Sequence, residues 1–170
     1  MIKKLNKTLI KFGYPETIIK EYDNWVILLR KEQTTLGALV LICKENATEF
    51  SKISIQANNE LPRIIKEIET VLNGLFKYDR INYLMLMMVD PNVHYHIVPR
   101  YANQIKYEGF DFKDVDWPGK PSLGNHNIIE KDLFSKLKNK IKDQFSKNNK
   151  KFKLIYTTGA FDYLHHGHLN

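Results

Sequence analysis

The segment from Asn92 to Arg100 constrains the fold most, because its side chains alternate between polar and apolar. Successive side chains of an extended strand point to opposite faces. The polar face carries Asn92, His94 and His96. The apolar face carries Val93, Tyr95 and Ile97. The pattern therefore predicts one strand of a sheet that buries one face in a core and presents two imidazoles on the other.

The remaining periodicity supplies partners for that strand. Residues 61–76 repeat apolar side chains at helical spacing, and Pro62 suits a first helical turn. A short helix ends at Gly13. Further strands are predicted at 17–22, 25–30, 36–43 and 81–89. The last is continuously apolar and is expected to be central, with its methionines in the core.

The C-terminal third is expected to be organised differently. Residues 101–125 are rich in Gly, Pro and aromatic side chains and predict irregular structure. Asn127 is expected to cap a second amphipathic helix. Residues 146–151 are interpreted as a linker, and residues 152–157 as a last strand that runs into a turn at Gly159.

Composition limits the class of protein. The 170 residues suffice for one good core, and the single cysteine, Cys43, excludes an internal disulfide. The apolar runs are too short to span a membrane, so we expect a cytoplasmic protein.

The net charge of +7 fits an anionic ligand or a solvated lysine-rich helix. We favour the helix, because the basic residues crowd between Lys131 and Lys153, and we expect no specific nucleic-acid partner.

The paired histidines allow three kinds of chemistry. A neutral imidazole is a good nucleophile near pH 7, provided that a carbonyl accepts the proton of its other nitrogen. His-x-His on a strand is also a zinc-ligand spacing, with a third ligand from His126, Cys43 or Asp90. The third interpretation is a hydrogen-bonded structural pair on an inert sheet.

The run His94-Tyr95-His96-Ile97-Val98-Pro99-Arg100 resembles the signature of the histidine triad (HIT) family, His-φ-His-φ-His-φ-φ followed by Pro-Arg. The order of elements over residues 17–101 is similar too. The resemblance implies an α+β fold, an antiparallel sheet with one long helix packed on it. It also implies that His94 attacks a nucleotide α-phosphate to form a nucleotidyl-histidine, that His96 contacts phosphate oxygens, and that Arg30 and Arg100 lie at the nucleotide.

The sequence departs from the family pattern at several positions. Asn92 replaces the first histidine, and Arg30 stands where an acidic or amide residue often meets the ribose. The usual Gly-Gln-Ser/Thr before the triad is replaced by Met87-Met88-Val89, and other family histidines by Ala38 and Asn46. These replacements keep a second hypothesis open, which is nucleotide binding without turnover.

A second motif lies near the C-terminus. Its members are Thr157, Gly159, Phe161, Asp162, His165, Gly167 and His168. They resemble the opening signature of cytidylyltransferase-like nucleotidyltransferases, which implies that Gly159, His165 and His168 address phosphates. One strand and a turn are too little for that α/β core, so this segment is expected to be a truncated, inactive fragment.

These interpretations predict three regions: a HIT-like nucleotide-binding domain at 1–125, a helix and linker at 126–151, and a nucleotidyltransferase-like segment at 152–170. The predicted function is a nucleotide hydrolase or nucleotidyl transferase. The alternative is a non-catalytic accessory domain of a longer nucleotidyltransferase. The resemblance requires no cofactor for the HIT domain, admits Mg²⁺ for a complete nucleotidyltransferase, and implies a homodimer.

Overall fold

The computed structural model describes residues 6–165, with the surroundings of side chains up to residue 149. The elements in chain order are α1 (Lys7–Lys11), β1 (Ile18–Glu21), β2 (Trp25–Leu29), β3 (Leu39–Cys43), a 3₁₀ turn (Phe50–Lys52), α2 (Ile55–Phe76), β4 (Arg80–Leu84), β5 (His94–Arg100), β6 (Ile105–Tyr107), β7 (Phe110–Phe112) and α3 (Lys131–His165). Five strands form an antiparallel sheet in the order β1-β2-β3-β5-β4. The predicted α+β architecture, with one long helix on an antiparallel sheet, is confirmed.

The two faces of the sheet are covered very differently. Helix α2 begins at the N-cap Ser54, whose Oγ accepts from the Ala57 amide at 3.1 Å. Its apolar stripe, together with the first part of α3, buries one face in the main core. That core includes Trp25, Ile27, Leu41, Ile64, Ile68, Tyr101, Leu137 and Phe145. The other face has only a small apolar cluster, formed by Leu9, Val26, Leu28, Val40 and Ile42.

One glycine lets α2 approach the sheet closely. Gly37 has a φ of +82°, and a Cβ there would lie 2.9 Å from a ring carbon of Phe76 at the end of α2. A side chain at position 37 is therefore excluded both by backbone conformation and by space. This fixes the start of β3 and with it the register that places Val40 beside His96.

Strand β4 corrects the prediction of a central strand at 81–89. It spans Arg80–Leu84 and lies at the edge of the sheet, paired only with β5. In this register His94, the first residue of β5, would lie opposite Leu86, so Met87 and the residues after it have no β5 residue to pair with. The chain turns outward there, and the expected burial of the methionines fails most clearly at Met88, which is 88% exposed.

The segment around Asn127 also differs from the prediction. The helix α3 begins at Lys131, and Asn127 instead pairs with Gln33 through a backbone bridge. Its side-chain amide donates to the carbonyls of Gln33, Thr34 and Lys113 at 3.1–3.2 Å. These bonds tie the long loop before α3 to the sheet. Part of the stretch expected to be irregular is a small hairpin, β6–β7.

The predicted linker at 146–151 and strand at 152–157 are wrong, because α3 runs as one helix from Lys131 to His165. No glycine or proline occurs between residues 125 and 158, and extending an existing helix costs little. A lone strand would need a sheet edge to pair with. Gly159 lies inside this helix and His165 at its end, whereas His168 lies outside the described residues. No helix in the described part of the chain is long and apolar enough to cross a membrane.

Candidate active site

The histidines lie as predicted on one face of β5. His94 and His96 are opposite Ile42 and Val40 of β3, and His96 is also opposite Leu84 of β4. They point away from α2, whereas Ile97 is buried in the main core. Both imidazoles are buried, with an exposure of 0% for His94 and 4% for His96. The apolar sheet beneath them makes a rigid, dry support.

His94 is held in one tautomer by its own strand. Its Nδ1 lies 2.7 Å from the main-chain oxygen of Asn92. A carbonyl oxygen can only accept, so Nδ1 carries a proton, and in the neutral ring Nε2 then keeps its lone pair. This is the arrangement that a nucleophilic imidazole needs. The Nε2 atom lies 3.3 Å from Nε2 of His96.

His96 is in contact with a buried guanidinium. Its Nδ1 lies 3.0 Å from Nη1 of Arg30. Burial and the positive charge of Arg30 lower the pKa of His96 to about 3, in the same direction as its coupling to His94 and against the effect of Asp90. His96 is therefore neutral throughout the physiological range of pH.

Arg30 reaches His96 from the residue that follows β2. Its Nε donates to the Glu32 carbonyl at 2.8 Å, and its Nη2 donates to the Glu32 carboxylate at 3.1 Å and to the Leu123 carbonyl at 3.2 Å. Burial lowers the pKa of Arg30, and Glu32 acts in the opposite direction. Arg30, which was predicted from the sequence to bind nucleotide, thus lies in the site and contacts His96 directly.

Asn92, at the position of the missing first histidine, is 3% exposed and faces the N-terminal helix. Its Oδ1 accepts from Thr8 Oγ1 at 3.1 Å, and its Nδ2 donates to Asn46 Oδ1 at 3.0 Å. The side chain therefore orients α1 and the loop after β3. Its main-chain carbonyl is the group that contacts His94.

The sequence analysis did not predict that the segment of residues 6–12, which comprises helix α1 and Phe12, packs over the two histidines. We call this segment the cover. The Phe12 ring lies 5.9 Å from the ring of His94 and 5.5 Å from that of His96, measured between centroids. Helix α1 is fastened by Asn6, which donates to the Cys43 carbonyl, and by the ion pair of Lys11 with Asp90 at 2.7 Å. This cover contributes to the complete burial of His94. Nothing in the spacing of residues 6–12 indicates their contact with a strand more than 80 residues away.

Arg100 occupies the other end of β5, on the same face. It makes a two-atom ion pair with Asp114 at 2.6 and 3.1 Å and donates to Asn82 Oδ1 and the Gly119 carbonyl. At about 3.3 Å per residue, four residues separate it from His96 by roughly 13 Å. The Trp117 ring lies 6.0 Å from its guanidinium, and the two line an open groove. Arg100 is thus a buried ion-pair partner, and its predicted contact with nucleotide stays a prediction.

The described residues do not assemble a metal centre: within residues 6–165 no three His, Cys, Asp or Glu side chains lie close enough together to hold an ion. His126, one of the third ligands considered from sequence, is exposed and contacts the Gly124 carbonyl. The His94–His96 pair has hydrogen-bonding partners on every ring nitrogen.

The fold matches solved structures of histidine triad proteins. One is described as a hypothetical histidine triad nucleotide-binding protein from Sulfolobus tokodaii strain7, with 19% identity, a TM-score of 0.60 and coverage of 82% of this chain and 90% of that one. A histidine triad protein from Sinorhizobium meliloti 1021 has 15% identity, a TM-score of 0.65 and coverage of 82% and 95%. A zinc-bound histidine triad family protein from Mycobacterium smegmatis has 13% identity, a TM-score of 0.57 and coverage of 84% and 93%.

These identities are low, and the structural similarities by themselves show a shared fold. No curated protein sequence matches the chain. The family model for the HIT domain matches residues 11–103, from the cover to the strand that carries the histidines, which is more than half of the chain. The protein is therefore a member of the HIT domain family.

Proposed function

We propose that the domain binds a nucleotide or nucleotide conjugate and cleaves it at the α-phosphate through a covalent intermediate on His94. The observation that carries the proposal is the bond from His94 Nδ1 to the Asn92 carbonyl, which leaves the Nε2 lone pair available. His96 is neutral and buried beside that atom, so it can donate a hydrogen bond to a phosphate oxygen.

The reaction proceeds in two displacements. The lone pair of His94 Nε2 forms a bond to the α-phosphorus, while the bond from phosphorus to the leaving group breaks and its electron pair departs with that group. Water or another acceptor then attacks the phosphorus, loses a proton to solvent, and the P–N bond breaks to restore the neutral imidazole. The Asn92 carbonyl stabilises the positive charge that the ring carries while the P–N bond exists.

The test is turnover of dinucleoside polyphosphates, nucleoside phosphoramidates and sugar nucleotides, followed by chromatography. We expect mononucleotide release that falls by at least about 10³-fold in His94→Ala, since the covalent route is then lost. His126→Ala is the matched control, because His126 is exposed and its ring contacts the Gly124 carbonyl. Equal rates in wild type and His94→Ala, with both proteins folded, would rule out the covalent route.

The complete burial of His94 favours a second candidate function, a nucleotide-binding accessory domain without turnover. The cover formed by α1 and the missing polar residues before the triad both fit this role. It predicts stoichiometric nucleotide binding, measured by calorimetry, with no product from any of the compounds above. A longer chain with a nucleotidyltransferase domain, suggested by the motif at residues 157–168, would be the natural setting for such a domain.

We also propose a homodimer. Strand β4 is an edge strand with an unpaired row of backbone groups, and the residues after it expose Leu86, Met88 and Val89. Pairing of two such edges would satisfy the backbone and cover the apolar side chains. Analytical ultracentrifugation should give twice the chain mass of 20.0 kDa, and Met88→Lys should shift the population toward monomer.

A further inference from the structure

We propose that Arg30 is a positioning residue that fixes the proton of His96 on Nε2 and so aligns the whole chain of hydrogen bonds through the histidine pair. The placement of this proton does not depend on turnover. Its consequence for catalysis rests on the proposed function of His94. The argument uses the contacts of three side chains and the different hydrogen-bonding capacities of guanidinium, imidazole and carbonyl.

The first step is the contact between Arg30 and His96. A guanidinium has donors only and stays protonated in proteins. Its Nη1 lies 3.0 Å from His96 Nδ1, so that ring nitrogen must be the acceptor. A neutral His96 then has its single proton on Nε2.

The second step is the contact between the two imidazoles. His94 has its proton on Nδ1, directed at the Asn92 carbonyl, and an unprotonated Nε2. With the proton of His96 on Nε2, the 3.3 Å contact between the two Nε2 atoms is a donor meeting an acceptor. The opposite tautomer of His96 would place two lone pairs against each other there, and an N–H of Arg30 against an N–H of His96. Arg30 therefore selects the one arrangement in which every contact is satisfied.

The third step is the rigidity of Arg30 itself. Its side chain is 7% exposed and has three further acceptors, two on Glu32 and one at the Leu123 carbonyl. The guanidinium is thus held by Glu32, in the segment after β2, and by Leu123, in the loop before α3. The other charged or titratable groups that act on His96 are His94 and Lys11, which lower its pKa, and Asp90, which raises it.

The alignment matters when a phosphate enters the site. The lone pair of His94 Nε2 then turns to phosphorus, and the proton of His96 Nε2 loses its acceptor. A phosphate oxygen is the natural new partner for that donor. Arg30 keeps this donor pointing into the site while it also keeps His96 uncharged, although Arg30 itself acts through the imidazole.

The proton positions are measurable in wild-type protein without any substrate. Two-bond ¹H–¹⁵N correlation spectra of protein labelled with ¹⁵N-histidine distinguish the two neutral tautomers and the cation. We expect His96 as the Nε2–H tautomer, neutral down to pH 5, and His94 as the Nδ1–H tautomer. Detection of His96 with its proton on Nδ1, or of its cation above pH 6, overturns the inference.

The variant Arg30→Met keeps the length of the side chain and removes the donors. We expect His96 to populate both tautomers and its pKa to rise by at least about one unit, since one positive neighbour is lost. Arg30→Lys retains a donor and should restore the Nε2–H tautomer. Glu32→Gln is the matched control, because it removes the acid beside Arg30 but leaves the contact with His96.

The outcomes separate this inference from the proposed function. If the spectrum of His96 in the Arg30→Met variant is the same as in the wild type, the positioning role is refuted, whatever the turnover assay shows. Wild-type tautomers as predicted, together with absent turnover, support the positioning role and refute only the covalent route. If Arg30→Met does not fold, the spectra of wild type and Arg30→Lys still decide the point.

Discussion

The two ends of β5 present polar side chains on the same face of the sheet, yet they are stabilised in opposite ways. At the start of the strand, the rings of His94 and His96 have no carboxylate partner among the described residues, and their contacts include a carbonyl and a guanidinium. At its end, Arg100 is matched by the carboxylate of Asp114, which is as buried as the arginine. The arginine end is therefore a matched ion pair, whereas the histidine end has a guanidinium and hydrogen-bonding partners without an opposite charge in contact with the rings.

This difference separates the two arginines that the sequence placed at the nucleotide. Arg30 contacts a histidine of the pair, whereas Arg100 donates hydrogen bonds to Asp114, Asn82 and the Gly119 carbonyl. The consequence is that substitutions at the two ends should affect different properties. Stability should depend mainly on the arginine end, and chemistry and pH response on the histidine end.

The largest expected effect is at the arginine end. Arg100→Met leaves Asp114 buried without its partner, which should lower the free energy of unfolding by about 3–5 kcal/mol. Urea denaturation followed by circular dichroism measures this. Arg63→Met is the control and should cost at most about 1 kcal/mol, since Arg63 is exposed and its partner Glu60 keeps the donors of Asp23 and Asn24. Similar losses in the two variants would contradict a structural role for Arg100.

A smaller effect, about 2 kcal/mol between pH 6.5 and 5, is expected from pH at the histidine end. His96 has a pKa of about 3 in the folded protein and the ordinary 6.5 when unfolded, so the unfolded chain binds the additional proton between these values. This contribution to stability is complete above pH 6.5 and is lost as the pH falls toward 3, by up to about 1.4 kcal/mol per pH unit. Urea denaturation at a series of pH values should show a flatter dependence in His96→Asn. An unchanged slope would show that other groups dominate.

The smallest expected change in stability, about 1–2 kcal/mol, accompanies the removal of the cover in Phe12→Ala, because the ring is only partly buried. The reactivity of His94 should rise about tenfold, since Phe12 shields both imidazoles. Diethylpyrocarbonate labelling with site mapping by mass spectrometry measures this, with exposed His126 as the internal reference.

Phe50→Ala is the control for the cover. Phe50 is 40% exposed and packs on Tyr95, on the opposite face of the same strand. Its removal should leave the labelling of His94 unchanged. If both variants increase the labelling equally, general loosening of the domain explains the result, and the cover does not.

The sequence predicted those parts of the structure that depend on local patterns. The alternation around His94 and His96 identified both the strand and the shared face, because side-chain direction in a strand follows from residue number alone. Helix α2 followed from its apolar repeat, although its true start at Ile55 lies six residues before the predicted one. Local chemistry also suggested that a carbonyl would accept a proton from the nucleophile.

The parts that the sequence missed depend on contacts between distant segments. The bonds of Thr8 to Asn92 and of Arg30 to His96 span 84 and 66 residues. No periodicity reports such pairs. The edge position of β4 depends on sheet order, which an apolar run does not determine. The error at residues 146–157 arose because a motif was given more weight than the absence of helix breakers.

Asn92 also bears on how this site could change in evolution. Restoring the three-histidine motif takes one substitution, Asn92→His. The present side-chain amide, however, accepts a hydrogen bond from Thr8 and donates one to Asn46, and Asn92 is only 3% exposed. A bulkier imidazole would forfeit at least one of those bonds while leaving its partner buried. The substitution Asn92→His is therefore epistatic. Alone it should destabilise the folded protein, and it should be tolerated once positions 8 and 46 have changed.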